Sequence, residues 1–370
     1  MVSRILQKPF WIAAGLLGAG ILIVLSWGFF FHSKKLEQPS VSPVPRLISV
    51  TYLFPVSNYP QVWRKSLDGS EIVQLSHSES GVMDYDVSPD GENIVYSTYN
   101  ALGGSDIWLT DRNGISQTRL ISCGKERCFR LTFGQKNSVF AYVMENTENL
   151  EQRESYLILY DLKKKTQTDR LINIGSSVSS LSWSPDGSRL AFFDNEAQKL
   201  RIWNLTTDQE THIATNYDMA AAWFPASMTF LTGRVDMFKE GNPRVSLYVF
   251  DLNQGQVREW SVINAMNLDI SQPVISPDGL WIALAGRPAG GSYAKQVWVF
   301  DIKGELIEEV TQEQNFTHAS VRWSPSGTML VYQRLEANAS DSKPEIWVWD
   351  WEERAKQPIA TDAAIPKWLP

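Results

Sequence analysis

Trp183-Ser184-Pro185-Asp186-Gly187 is the stretch that decides the fold, because variants of it recur along most of the chain. Each copy consists of an apolar or aromatic residue, a small residue and the residues of a turn. An apolar strand begins about six residues after the first residue of the copy. The other clear copies are Val87-Ser88-Pro89-Asp90-Gly91, Ile275-Ser276-Pro277-Asp278-Gly279 and Trp323-Ser324-Pro325-Ser326-Gly327. Repeated β-rich units of this size predict the blades of a β-propeller.

The spacing of the copies supports four short strands in each unit. Successive first residues, called anchors here, are separated by 40 to 52 residues, which suits four strands and their turns. Two copies are degraded: Gln135-Lys136-Asn137 and Pro225-Ala226-Ser227 stand where the turn residues are expected. The anchors are Val87, Phe133, Trp183, Trp223, Ile275, Trp323 and Trp368.

The second half of each unit also recurs, as an aromatic-rich strand that ends in Asp. The copies are Ile107–Asp111, Leu157–Asp161, Tyr248–Asp251, Trp298–Asp301 and Trp347–Asp350, and Asn204 takes the Asp position in one unit. Asp at these positions is explained by hydrogen bonding within turns. These carboxylates therefore need no catalytic role.

The two ends of the repeat region complement each other. Residues Ile365–Pro370 match the first strand of a unit, whereas the region after residue 46 begins with a second strand, Leu47–Tyr52. A third strand at Gln61–Arg64 and a fourth at Glu71–Leu75 follow. We therefore predict an all-β, seven-bladed propeller whose seventh blade is closed by pairing of the N- and C-terminal strands. An open array would explain the repeats but not the complementary ends.

The Ser-Pro-Asp-Gly turn, the strand after it and the aromatic-x-x-Asp ending resemble the repeats of TolB-type propellers, within the wider WD-repeat-like group. The resemblance covers residues 46–370 and implies the fold more than the function. Propellers of this kind occur in periplasmic translocation proteins, in the non-catalytic domain of prolyl oligopeptidase-like peptidases and in bacterial surface proteins.

A membrane segment precedes the repeats. Residues 10–31 contain no charged side chain, and 22 helical residues are enough to cross a hydrocarbon core of about 30 Å. A cleaved signal peptide is the alternative, but its apolar region would be shorter and end at a small-x-small site. We expect a flank at 1–9, a transmembrane helix at 10–31, a Pro-rich linker at 32–45 and the propeller at 46–370.

The orientation of this anchor rests on two observations. Lys34 and Lys35 after the segment balance Arg4 and Lys8 before it, so the positive-inside rule gives little help. The two cysteines, Cys123–Cys128, lie together between blades, and their spacing favours a local disulfide in an oxidising compartment over two free thiols. We therefore expect a single-pass protein of the cell membrane with its propeller outside the cytoplasm, in the periplasm or at the cell surface.

Composition and motifs exclude several functional classes. The net charge of −7 disfavours nucleic acid as a partner, which requires a basic patch. The loop Gly290-Gly291-Ser292 lacks the last Gly of a nucleophile elbow, and no zinc-protease helix or phosphate-binding loop occurs. The four histidines are scattered, at His32, His77, His212 and His318. We expect no metal and no cofactor.

Blade topology predicts two unlike faces. Turns between first and second strands and between third and fourth strands lie on one side, called the turn face here. The remaining connections form the loop face, and its long loops are Glu145–Ser155, Arg234–Arg244, Gly286–Lys295 and Leu335–Lys343. The linker should enter at the turn face, so the loop face points away from the membrane. Variable loops on a rigid scaffold usually carry recognition.

Polar residues of the first strands form a second candidate site, around the central channel. The candidates are Asp84, Asp86, Arg130, Gln272, Arg322 and Lys367, with Ser180 and Ser182 nearby. Solvated channel walls would explain the same residues. The sequence thus predicts a non-enzymatic platform for a protein partner, a peptide or a glycan, in the setting of an envelope complex. The alternative is a propeller enzyme or small-ligand sensor that uses the channel.

Overall fold

One hydrogen-bond pattern closes the recurring turns. In the first copy, Ser88 Oγ donates to Asp90 Oδ1 at 2.6 Å and accepts the amide of Asn93 at 2.9 Å. The amide of Gly91, at a φ of 71°, donates to the Ser88 carbonyl at 2.8 Å. Glycine adopts this left-handed conformation without steric cost. The same bonds recur around Ser184 and Ser276. Around Ser324 the hydroxyl of Ser326 takes the place of the Asp carboxylate. Each of these turns joins two antiparallel strands.

The computed structural model describes residues 48–370, except 137, 148–153, 169–171, 175–177, 227, 238–242, 261–265 and 289–293. The predicted transmembrane helix at 10–31 and the linker at 32–45 lie outside the described residues. Within the described part of the chain, no helix has the length and apolar character needed to span a bilayer.

The described residues form thirty strands in seven antiparallel sheets. The chain begins with β1 (Ser49–Phe54), β2 (Gln61–Ser66) and β3 (Ile72–Gln74). Blade 1 is β4 (Val82–Val87), β5 (Asn93–Tyr99), β6 (Ser105–Asp111) and β7 (Gln117–Ser122). Blade 2 is β8 (Arg127–Phe133), β9 (Val139–Glu145), β10 (Ser155–Asp161), β11 (Thr166–Gln167) and β12 (Ile172–Asn173). Blade 3 is β13 (Val178–Trp183), β14 (Arg189–Asp194), β15 (Lys199–Asn204) and β16 (Gln209–Ala214).

The second half of the ring repeats this order. Blade 4 is β17 (Ala222–Trp223), β18 (Thr229–Met237), β19 (Pro243–Asp251) and β20 (Gly255–Trp260). Blade 5 is β21 (Met266–Ile270), β22 (Val274–Ile275), β23 (Trp281–Pro288), β24 (Gln296–Asp301) and β25 (Leu306–Glu309). Blade 6 is β26 (Phe316–Trp323), β27 (Met329–Glu336), β28 (Glu345–Asp350) and β29 (Ala355–Thr361), and β30 (Ala364–Leu369) ends the chain.

The ring closes between the two ends of the repeat region. Strand β30 pairs antiparallel with β1, and Val50 lies opposite Trp368. The sheet order β3-β2-β1-β30 therefore makes blade 7 from both ends of the region. The predictions of a seven-bladed propeller and of its closure are confirmed.

The hydrophobic core consists of layers between neighbouring blades. Strand β9 shows how one strand supplies two layers: Phe140 and Tyr142 pack toward blade 1, whereas Ala141 and Val143 pack toward blade 3. This alternation follows from the two-residue period of a β-strand. Such a cluster fills each of the seven interfaces between blades among the described residues.

Three anchor tryptophans each link their own blade to the one before it. The indole Nε1 of Trp183 donates to the Thr132 carbonyl at 3.1 Å, and that of Trp323 donates to the Val274 carbonyl at 3.1 Å. Trp368 makes the equivalent bond to Arg322. The buried Nε1 of Trp223 has no hydrogen-bond partner among the described residues.

The chain enters the ring on the turn face, as predicted. The carbonyl of Ile48 accepts the amide of Leu67 at 3.1 Å, and Leu67 begins the turn between β2 and β3. Of the four long loops predicted on the loop face, the structure describes Leu335–Lys343 completely. The other three include residues outside the described part of the chain.

Candidate functional site

The channel candidates all belong to the innermost segments of their blades. Asp84 and Asp86 lie on β4, Arg130 on β8, Arg322 on β26 and Lys367 on β30, whereas Gln272 lies between β21 and β22. The structure divides the five charged candidates into two groups. Asp84, Asp86 and Lys367 hold neighbouring blades together, and the two arginines do not.

Asp84 and Asp86 bind the edge of the next blade. Asp84 Oδ2 accepts the amide of Leu131 at 2.8 Å, and Asp86 Oδ2 accepts the amide of Phe133 at 2.6 Å. Strand β8 is the innermost strand of blade 2, so these amides have no further strand to pair with. Burial raises the pKa of Asp84 above its usual range, although the Lys367 ammonium and the Leu131 amide oppose that shift. Both carboxylates therefore have structural partners.

Lys367 joins the C-terminal strand to blade 1. Its Nζ lies 2.7 Å from Asp86 Oδ1 and also donates to the Tyr85 carbonyl. The hydroxyl of Tyr85 donates to the Ile365 carbonyl at 2.6 Å. Burial raises the pKa of Tyr85, so this phenol stays neutral. The group fixes β30 against β4 at the closure of the ring.

The serines near the channel also contribute between blades. Ser182 Oγ donates to the Ala221 carbonyl of the next blade at 2.6 Å. The hydroxyl of Ser180 is buried and has no hydrogen-bond partner among the described residues.

Arg130 and Arg322 remain exposed, and neither has an ion-pair or hydrogen-bond partner for its guanidinium among the described residues. Arg130 also has a φ of 56°, which is uncommon for a residue other than glycine. Since both candidate acids are occupied, the unpaired charges among the channel candidates are positive. No group of three or more His, Cys, Asp or Glu side chains within the described ranges is arranged to hold a metal ion.

The two cysteines form a disulfide in the structure, with Cα atoms 6.4 Å apart. The sequence predicts both cysteines in one short loop, but Cys128 lies on β8, because it pairs with Met144 of β9. Its amide also donates to Ser105 Oγ at the edge of blade 1. The carbonyl of Ser105 also accepts the amide of Cys123 at 3.1 Å. The closed loop therefore packs against the loop between β5 and β6.

Sequence reasoning missed a cluster of exposed apolar side chains on the loop face. It comprises Val56, Tyr59, Tyr99 and Leu102, which are 39%, 63%, 49% and 65% exposed, and we call it the aromatic corner. Val56 and Tyr59 lie in the loop between β1 and β2, and the other two lie at the loop between β5 and β6. Contiguous exposed apolar patches mark interaction surfaces, so these four side chains on neighbouring loops are a candidate for one.

Backbone contacts hold the loops of the aromatic corner in place. Tyr59 adopts a φ of 42°, and a β-carbon at Gly81 would lie only 2.9 Å from its Cα. Ser80 Oγ then donates to the Tyr99 carbonyl at 2.7 Å, which links the two loops. At Gly104, a β-carbon would overlap the carbonyls of the disulfide loop. The corner is thus a preorganised surface, which lowers the entropic cost of binding.

Family comparison decides the identity of the ring. The model of the TolB beta propeller domain matches residues 106–370. The chain belongs to the TolB β-propeller family. A relative in Arabidopsis thaliana, the WD repeat-containing protein WDS homolog, is 23% identical over 187 residues, which are 49% of this chain and 31% of the relative. The chain thus spans about a third of the length of that relative.

Solved structures similar to this TolB-family propeller share its fold. TolB from Acinetobacter baumannii is 16% identical, with 88% of this chain and 67% of that chain covered and a TM-score of 0.51. The β-propeller domain of the Trilobed protease from Pyrococcus furiosus, described as having an open velcro topology, is 14% identical, with a TM-score of 0.57. The match covers 75% of this chain and 84% of that chain. Acylaminoacyl peptidase from Pyrococcus horikoshii is 12% identical, with a TM-score of 0.59. The match covers 85% of this chain and 51% of that chain. At these identities the likeness shows the fold alone.

Proposed function

We propose that this TolB-family propeller is a membrane-anchored, extracytoplasmic binding platform without catalytic activity, which captures a protein partner through the aromatic corner. The membership of an envelope complex, the anchor and the location are parts of this proposal. The observation that carries it is the exposure of Tyr59, Tyr99 and Leu102 on loops that close backbone contacts hold in place.

The chemistry of the corner suits a protein surface. Tyrosine provides a large contact area at a low cost in side-chain entropy, and it is enriched among residues that dominate binding energy. Val56 and Leu102 add aliphatic surface on the same two loops, which also carry polar residues. Ser57, for example, donates to Asp362 at 2.6 Å next to Val56. A partner with an exposed apolar segment complements this arrangement.

The position of the corner supports the proposed orientation. The described part of the chain begins at the turn face. The aromatic corner lies on the opposite face of the ring, which the proposal turns away from the membrane. The disulfide that supports the Tyr99 loop is consistent with an oxidising compartment.

The test is capture of the partner from native membranes. The full-length protein is purified in mild detergent, and the proteins that accompany it are identified and quantified. We expect Tyr59→Ser and Leu102→Ser to reduce the main partner at least about tenfold, since truncation of a central contact residue costs about 2 kcal/mol or more.

The matched control lies on the turn face. Ile115 is 82% exposed there, and Ile115→Ser makes the same kind of change without touching the corner. Its capture should equal that of the wild type. Loss of the partner from Ile115→Ser, with capture intact in Leu102→Ser, would show that the binding face has been assigned wrongly.

The free channel arginines favour a second candidate function, which is recognition of a small anionic ligand. Arg130 and Arg322 are the channel candidates whose charges have no ion-pair partner among the described residues. Isothermal titration with citrate tests this function. Binding that is lost in Arg130→Gln with Arg322→Gln would support a sensor, whereas heat equal to buffer dilution would leave the platform as the function.

A further inference from the structure

A groove separates blades 2 and 3 on the turn face, away from both the channel and the aromatic corner. Its volume is about 370 Å³, within the range of about 300 to 1,000 Å³ that is typical of small-molecule sites. The anchor Trp183 lies at its base beside Val139, Leu159 and Leu205. The groove therefore has an apolar floor.

Two positions that line the groove are occupied by tryptophans at one other interface between blades. Between blades 5 and 6, the same positions are Trp281 and Trp351, whose ring centroids lie 5.1 Å apart. Trp351 also lies 6.1 Å from the anchor of blade 6 and so covers it. Between blades 2 and 3 these positions are Val139 and Leu205, which leave the space open.

The two walls of the groove differ in charge. Blade 2 contributes Lys136 and Lys164 together with Asp161, whereas the blade 3 residues that line the groove are uncharged. Asp161 Oδ1 accepts the amide of Lys164 at 3.2 Å, and its Oδ2 lies 3.4 Å from Lys164 Nζ. Lys136 is exposed and has no ion-pair partner within the described ranges. One lysine charge thus remains available in an otherwise acidic protein.

The remaining polar side chains at the groove are amides and hydroxyls. Gln135 and Gln167 are exposed on the blade 2 side, and Thr206 lies on the blade 3 side. Amides and hydroxyls both donate and accept hydrogen bonds, as the hydroxyl groups of a sugar require. No arginine is among the lining residues, so the bidentate clamp typical of phosphate sites is absent from the groove.

We propose that this groove binds a short acidic saccharide. Its carboxylate pairs with Lys136, its hydroxyls bond to the amides and to Thr206, and its C–H face lies on the apolar floor. This site is independent of the proposed partner surface, since it lies on the other face of the ring.

The test uses two trisaccharides that differ only in their carboxylates. The full-length protein in detergent is titrated calorimetrically with β-1,4-mannuronate trisaccharide and with β-1,4-mannotriose. We expect saturable binding of the first and at least about tenfold weaker binding of the second, the change expected for loss of one charge-assisted hydrogen bond. Equal affinity for both sugars, or binding of neither, would overturn the proposal.

Three variants place the site. Lys136→Gln removes the free charge and should weaken binding of the acidic sugar at least about tenfold. Leu205→Trp places a tryptophan where Trp351 lies between blades 5 and 6, so its ring should fill the groove. This variant should not bind the acidic sugar, and its thermal unfolding temperature should stay near that of the wild type. Lys303→Gln changes an exposed lysine in a corresponding turn of blade 5 and should leave the affinity unchanged. Full affinity in both groove variants would contradict the assignment.

Discussion

Lys367→Met tests how strongly the ring is held closed. The ammonium of Lys367 lies 2.7 Å from Asp86 Oδ1, and the two side chains are only 11% and 16% exposed. Asp86 also accepts the Phe133 amide at 2.6 Å, so its carboxylate cannot turn away toward the channel. Loss of one partner from a buried pair costs about 3–5 kcal/mol. We expect about 3 kcal/mol, the low end of this range, because neither side chain is fully buried.

The measurement is thermal unfolding followed by tryptophan fluorescence. At roughly 2 °C per kcal/mol for a domain of this size, the unfolding midpoint of Lys367→Met should fall by about 6 °C. Addition of Asp86→Asn removes the stranded charge and should restore part of the loss, whereas Lys303→Met, at an exposed position, should shift the midpoint by less than about 1 °C. A midpoint for Lys367→Met within about 1 °C of the wild type would refute the reasoning.

Three further predictions concern other parts of the ring. Trp323→Phe should cost about 1 kcal/mol more stability than Trp223→Phe in chemical denaturation, because the indole of Trp323 has a carbonyl partner and that of Trp223 has none among the described residues; equal costs would contradict this. Burial lowers the pKa of His318, so the unfolded chain binds a proton at this residue at a higher pH than the folded chain does. The stability that this residue contributes is therefore fully present above a pH of about 6.5 and should decline as the pH falls below that value. His318→Asn should remove that decline in melts between pH 7 and 5, whereas the exposed His212→Asn should keep it. Reduction of the Cys123–Cys128 disulfide should cost about 2 kcal/mol, the loop-closure entropy of so short a loop, and a melt unchanged by reductant would show that the bond does not constrain the unfolded chain.

The blade count and the closure follow from the sequence because each repeat carries its own turn chemistry. Ser88 and Asp90 specify a hairpin from residues within five positions of each other. Six such repeats, two of them with degraded turns, together with an unmatched first strand near Ile365, leave one arrangement in which every blade is complete.

The partners of the channel residues depend on distant parts of the chain. Asp84 binds an amide 47 residues away, and Lys367 binds a carboxylate 281 residues away. The sequence places these side chains on first strands but does not show which charges are paired. Only the folded ring separates the occupied acids from the free Arg130.

The aromatic corner escapes sequence analysis for a related reason. From the sequence, an apolar residue such as Leu102 would be predicted to lie in the hydrophobic core. Whether its side chain is exposed depends on how the neighbouring loops pack. The groove near Leu205 is similar, because it becomes visible only when equivalent positions of different blades are compared in three dimensions.

Site-specific photo-crosslinking in native membranes tests the proposed function most directly. A photoreactive residue replaces Tyr99 in the aromatic corner or, as a matched control, Leu280, which is 53% exposed on the turn face. We expect one defined protein adduct from position 99 after irradiation, and none of that mass from position 280. The same adduct from position 280 and none from position 99 would contradict the account.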